Sequence, residues 1–164
     1  MDKKKTKIIN PKGYKCFACG TANPIGLRLR FYRSGESVCT DITLGKYHVG
    51  WENIAHGGII STILDEVMSW TILYFKRIFF VTRKMELKYI RPVLVGIPLT
   101  AKGEVIDGSE PPRIKAKAEL RDQEGTLLAR STGEFVSLDK DELTSIPDGL
   151  KDEMFSIIGK LPPL

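Results

Sequence analysis

The chain has 164 residues, 42% of them hydrophobic and 27% charged, a length and balance that suit one domain with a sizeable core. Its formal charge of +5 comes from Lys and Arg scattered along the chain, with no dense basic helix or arm of the kind that tracks a nucleic-acid backbone. Three cysteines are too few, and odd in number, for a disulfide scaffold.

The start, "MDKKKTK", is basic, but an Asn-Pro-Lys-Gly turn follows it in place of an apolar signal core. No window holds the continuous apolar run of a membrane span. The expectation is therefore a cytoplasmic protein with no membrane and no nucleic-acid partner. Residues 1–13 are read as a flexible segment, 14–138 as the folded domain and 139–164 as a polar tail, within which "KDEMFSIIG" is read as a short helix docking Met154, Phe155, Ile157 and Ile158.

Residues 27–33, "LRLRFYR", alternate with Leu27, Leu29 and Phe31 on one face, and "SVCTDITL" repeats the pattern after a short polar break. The two read as a hairpin. From Gly45 to Ala55 the pattern is lost and a loop is expected. A helix then begins near Gly57. Between Ile59 and Phe75 its apolar residues cover far more than one stripe, so both flanks must be buried. After Lys76-Arg77 the period returns to two. "FFVTRKMELKYIR" sets Met85, Leu87 and Tyr89 opposite Lys84, Glu86 and Lys88, and "LTAKGEVI", "RIKAKAELR" and "TLLARSTGEFVSL" complete the set. The expected fold is α+β: an antiparallel sheet of about six strands wrapped around one long central helix.

The helix opens on "NIAHGGIISTILDE". A helix N-terminus offers unpaired backbone N–H groups and the positive end of the dipole. Gly57 and Gly58 let a carbonyl oxygen approach those amides, though the same glycines would also suit a tight loop-to-helix junction. Asp65 lies too far along the helix to cap it, and Ser61, Thr62 and Ser69 make a polar seam beside it. A carboxylate there is desolvated and its pKa rises toward that of a useful base. The alternative for Asp65 is a structural hydrogen-bonder at a subunit interface; Glu66 competes for the base role, or else binds across the interface or faces solvent. His56 either orients a carbonyl or anchors the junction. Some ~12 Å of axial rise separates the glycines from Asp65, so the two cannot act on one carbonyl from one helix.

"HGGIISTILDE" resembles the signature of hotdog-fold acyl-CoA thioesterases of the phenylacetate-pathway and thioesterase-superfamily-member-4-like group, where His-Gly-Gly opens the central helix and an Asp follows nine residues after the His. The leader "CFACGTANPIGLRLRF" and the Tyr89-Ile90-Arg91-Pro92 run are also similar to that group, and the likeness covers about residues 14–138. It implies hydrolysis of acyl-CoA to free acid and coenzyme A by a homodimer, with pairing into a homotetramer as a further option. Glycine amides would come from one subunit and Asp65, as base or nucleophile, from the other. It also implies that Asn53 helps order the loop and that Thr82 supports the acid or the attacking water. An acyl carrier protein could replace coenzyme A as the thiol carrier.

For the coenzyme A phosphates the candidate cations are Lys88, Arg91, Lys115, Lys117 and Arg130. No metal and no cofactor are expected. Cys16 and Cys19 have half the spacing of a zinc site, but the other half is missing, and a Cys16-Cys19-His48 set is disfavoured. The alternative function is a non-catalytic hotdog module that binds acyl-CoA or lipid. The fold hosts both kinds of protein.

Overall fold

A computed structural model describes residues 5–144 and 146–164. Nine strands and two α-helices follow in the order β1 Lys5–Ile8, β2 Phe31–Ser34, β3 Ser37–Thr43, β4 Val49–Trp51, β5 Ile54–Ala55, α1 Gly57–Lys76, β6 Phe80–Tyr89, β7 Pro98–Val105, β8 Arg113–Asp122, β9 Leu127–Ser137 and α2 Asp148–Gly159. Seven strands form one antiparallel sheet in the order β1-β2-β3-β7-β8-β9-β6, and β4 pairs with β5 in a small separate ribbon. Helix α1 lies along the inner face of the large sheet, packed chiefly on β7, β8 and β3. This is the hotdog architecture.

The periodicity accounts for most of this. On β8, Ile114, Ala116, Ala118 and Leu120 are at most 2% exposed while the intervening residues face outward. Along α1, Ile63, Leu64, Val67, Met68 and Ile72 are fully buried, as an apolar rod enclosed by a sheet requires. The helix reaches a mean hydropathy of 1.2 over an 18-residue window, half of it buried inside the protein, which matches a core helix. Close packing needs glycine at the crossing points. A Cβ on Gly103 of β7 would fall 2.8 Å from the Val67 carbonyl oxygen and closer still to the Thr71 hydroxyl.

Three expectations are corrected in detail. The 27–33 run has the expected buried Leu27, Leu29 and Phe31, but pairing begins only at Phe31. Arg28 takes a left-handed φ of 54°, and the amides of Leu27 and Leu29 bond instead to the carbonyls of Phe17 and Ala18. Lys5–Ile8, read within a flexible segment, add a strand because Ile8 is buried against the core. The loop from Gly45 to Ala55 contains the β4-β5 ribbon. In the tail, Phe155 of α2 packs on Phe79 with ring centroids 4.8 Å apart. Tyr74 donates to the Pro163 carbonyl at 2.8 Å and clasps the chain end to α1. The Met154 side chain lies outside the described residues.

Candidate active site

His56 is the N-cap of α1. Its extended backbone (φ −61°, ψ 134°) turns the chain into the helix, and its Nδ1 accepts the Gly58 N–H at 2.9 Å. Its carbonyl takes the amides of Ile59 and Ile60 at 2.9 and 3.3 Å. Of the two glycine amides expected to face a substrate, Gly58's is therefore engaged. The Gly57 N–H meets no acceptor among the described residues, and it sits at the positive end of the helix dipole. Tyr89, from the end of β6, donates its hydroxyl to the Gly57 carbonyl at 2.9 Å, and a Cβ on Gly57 would lie 3.0 Å from that hydroxyl. Glycine leaves the mouth of the helix open, and Tyr89 fixes its position. Asn53 is exposed in the preceding turn, where its carbonyl receives the Val95 amide at 2.9 Å and ties the loop down.

Asp65 is half-buried two turns further along, and the Thr82 hydroxyl donates to its Oδ1 at 3.0 Å. Burial pushes the Asp65 carboxyl up from its ordinary value, and the Thr82 hydrogen bond opposes that push. Thr62, expected to join a seam around Asp65, bonds instead to the Gly58 carbonyl.

Thr82 reaches Asp65 because of a β-bulge. Opposite β9, Thr82 pairs with Phe135 and Lys84 with Glu134, leaving Arg83 as the extra residue. Met85 and Leu87 point inward as odd-numbered positions, so an unbroken strand would send Thr82 outward. The bulge reverses the phase and puts Thr82 and Phe80 on the helix side, where Phe80 meets Phe135 edge-on at 5.4 Å.

Glu66 occupies a different helix face from Asp65, because successive residues are turned by ~100°. It is neither at the solvent nor beside Asp65. It lies under the leader loop, accepting from Trp70 Nε1 at 3.0 Å and from the Cys16 thiol at 3.9 Å, and burial pushes its pKa up to about 7. The Cys19 thiol and nearby backbone amides hold the Cys16 thiol below its ordinary range, and Cys19 is held above its own by the same pairing and by burial. His48 is absent from this cluster. Its Nδ1 accepts the Gly45 amide at 2.9 Å.

Lys88, Lys115, Lys117 and Arg130 all lie on the outer face of the sheet, away from α1. Lys88 and Arg130 are cross-strand partners, and Lys117 pairs with Glu104 at 3.1 Å. The fold does not bring these four to Asp65 of the same chain. Arg91 is exposed two residues beyond Tyr89.

The sequence pattern pointed to the helix mouth and Asp65, and the family resemblance to Thr82. It missed Tyr89 as the residue that holds Gly57, and the Cys16-Cys19-Glu66 grouping. Tyr89 carried a signal, its inward parity with Met85 and Leu87. Glu66 carried none, since the leader path is invisible to periodicity.

Residues 52–129 match the profile of the thioesterase superfamily, a segment that holds the His-Gly-Gly, Asp65, Thr82 and Tyr89-Ile90-Arg91-Pro92 positions but not the Cys16–Cys19 leader. The crystal structure of a thioesterase superfamily protein aligns over 74% of this chain with a TM-score of 0.70 and 22% identity, and the chain spans 60% of that protein's length. A hypothetical thioesterase from Streptococcus pneumoniae, solved with coenzyme A, aligns over 63% of this chain and 79% of its own, with a TM-score of 0.59 and 18% identity. The PaaI protein of the phenylacetic acid degradation operon of E. coli aligns over 69% of this chain and 81% of its own, with a TM-score of 0.63 and 16% identity. These likenesses establish the hotdog fold and agree with the resemblance carried by the helix motif. No curated protein matches the chain in sequence.

Proposed function

We propose that the protein hydrolyses acyl-CoA thioesters in a site shared by two chains. The observation that carries this reading is the separation on α1 of an open Gly57 N–H from an Asp65 primed by burial and oriented by Thr82. With ~12 Å of helix between them, one carbonyl can meet both only if each comes from a different chain. The edge strand β6 supports the pairing. Among the described residues its outer edge has no neighbour in the sheet, and Val81 (48% exposed) and Tyr89 (52%) on this strand are exposed apolar residues.

In this reading the thioester oxygen accepts the Gly57 N–H of one chain, which stabilises the negative charge that develops on that oxygen. Asp65 of the other chain takes a proton from water as the oxygen attacks the carbonyl carbon. The C–S bond breaks, the free acid forms, and coenzyme A leaves as the thiol after taking up the proton. His56 acts as the cap that shapes the mouth. Arg91, close in sequence to Tyr89, is the cation best placed to meet the coenzyme A phosphates. The superfamily match and a neighbour solved with coenzyme A support the substrate class.

The test is thiol release across a panel of acyl-CoAs, with Asp65→Asn and Gly57→Pro measured alone and co-expressed. Each variant alone should be inactive. Co-expression should restore roughly a quarter of the parental sites, because half of the dimers are mixed and each holds one intact site of two. Recovery of nothing from mixed dimers of folded chains would mean that no site takes one group from each chain, and would sink the shared-site reading. Parental protein inert toward every acyl-CoA would favour a binding module instead.

A further inference from the structure

On a different face of α1 from Asp65, three potential ligand atoms converge that the hydrolytic reading does not use. The sulfurs of Cys16 and Cys19 and a carboxylate oxygen of Glu66 all lie within 4.8 Å of one another. We propose that they form a site for a Zn²⁺-type divalent ion that fastens the leader loop to the central helix. The expectation of no metal rests on the missing second half of a zinc site, with Cys39 alone in a strand and His48 in a loop; it does not weigh Glu66 as a ligand.

The geometry is near that of an occupied site. Tetrahedral zinc with Zn–S of about 2.3 Å and Zn–O of about 2.1 Å sets sulfur and oxygen ligands ~3.6 Å apart. The Cys16 sulfur and Glu66 Oε1 are 3.9 Å apart, a few tenths of an ångström beyond that spacing, and the Cys19 sulfur lies within 4.8 Å of both.

The loop is already shaped for this. The Cys19 N–H points at the Cys16 sulfur at 3.5 Å, and the Gly20 amide bonds the Cys16 carbonyl at 2.9 Å. That turn is so tight that a Cβ on Gly20 would fall 2.6 Å from both the Cys16 nitrogen and the Tyr14 carbonyl oxygen. From beneath, the buried Asn10 amide donates to the carbonyls of Cys19 and Leu29, both at 3.0 Å. Two sulfurs held this way need little ordering when an ion arrives.

Charge gives the second argument. Glu66 contacts the Trp70 N–H and the Cys16 thiol, and neither is a cation. Burial pushes this carboxylate toward its neutral form, and among the described residues it has no positive partner. A divalent ion supplies it. Two thiolates and one carboxylate suit zinc and disfavour magnesium or calcium, which take oxygen ligands. Cys16 is exposed, so the fourth position opens to water.

The experiment uses the full chain, kept reduced with a phosphine, stripped with a chelator and titrated with Co²⁺ and then Zn²⁺. The expected result is one Co²⁺ per chain with a sulfur-to-cobalt charge-transfer band, displaced by Zn²⁺, and a higher Tm with zinc. Cys16→Ser and Cys19→Ser should abolish the band. Glu66→Gln should weaken zinc by about tenfold or more, since even residues that only support metal ligands cost that much. Cys39→Ser, in strand β3, should bind like the parent, and circular dichroism should show every variant folded. Cobalt uptake by the parent no greater than that of Cys16→Ser would overturn the site, as would affinity unchanged in Glu66→Gln. These readouts do not depend on thioester hydrolysis.

Discussion

Replacing Gly57 with proline removes one hydrogen-bond donor and little else. Gly57 is the first helical residue after the cap, a position where proline is favoured because its N–H has no partner within the helix. The residue before a proline must be extended, and His56 already is, with ψ at 134°. The added ring starts from a Cβ position 3.0 Å from the Tyr89 hydroxyl, but Tyr89 is 52% exposed and can swing aside. That displacement loses a solvent-accessible hydrogen bond worth roughly 0.5–1 kcal/mol. Replacing glycine returns a comparable amount through the unfolded chain. Stability should thus stay within about 1 kcal/mol, a Tm change of no more than about 4 °C. Loss of the donor to the developing oxyanion should cost ~3–4 kcal/mol, or about 10²–10³ in kcat. Calorimetry and thiol-release kinetics on one preparation measure both. A folded Gly57→Pro protein that hydrolyses at the parental rate would show that the Gly57 amide does not hold the carbonyl.

Thr82→Val keeps shape and β-branching but deletes the donor to Asp65. Burial then acts unopposed, the neutral acid is favoured, and the acid limb of kcat/KM moves to higher pH. A hydrogen bond to a half-exposed carboxylate, worth ~1.5 kcal/mol, gives about a tenfold loss on that limb that fades at alkaline pH; a loss equal at every pH would mean that Thr82 positions substrate instead. The variant should also be less stable than the parent where Asp65 is ionised, and the deficit should vanish as pH falls and Asp65 protonates. Gly103→Ala forces a methyl against the Val67 carbonyl and the Thr71 hydroxyl. It should cost about 1–3 kcal/mol in urea unfolding, and parental stability would refute the close helix–sheet contact.

The elements written in side-chain period were legible in the sequence. Ile114, Ala116, Ala118 and Leu120 announce β8, and the all-round apolar surface of 59–75 announces an enclosed helix. What escaped depends on backbone path. Leu27 and Leu29 alternate like a strand, yet their amides serve the leader loop, because burial of alternate residues does not require a neighbouring strand. Lys5–Ile8 offered a single buried residue and so no period to read. Glu66 competed with Asp65 for the base role until the resemblance favoured Asp65, and the route of the leader across α1, which sets the surroundings of Glu66, is not written in side-chain period. The role of Thr82 was supplied by resemblance; parity alone would have turned it away from the helix.

The extra residue in β6 also bears on which sequence changes the fold can absorb. Arg83 is exposed, and nothing in its pairing with Glu134 at 2.9 Å demands arginine, so substitutions there should be mild. Deleting it is another matter. The strand would fall into a regular ladder, and everything upstream would rotate by half a turn, with Phe80 losing Phe135 and Thr82 losing Asp65. Among descendants of this chain, β6 should therefore drift in composition while its length between Thr82 and Tyr89 stays fixed.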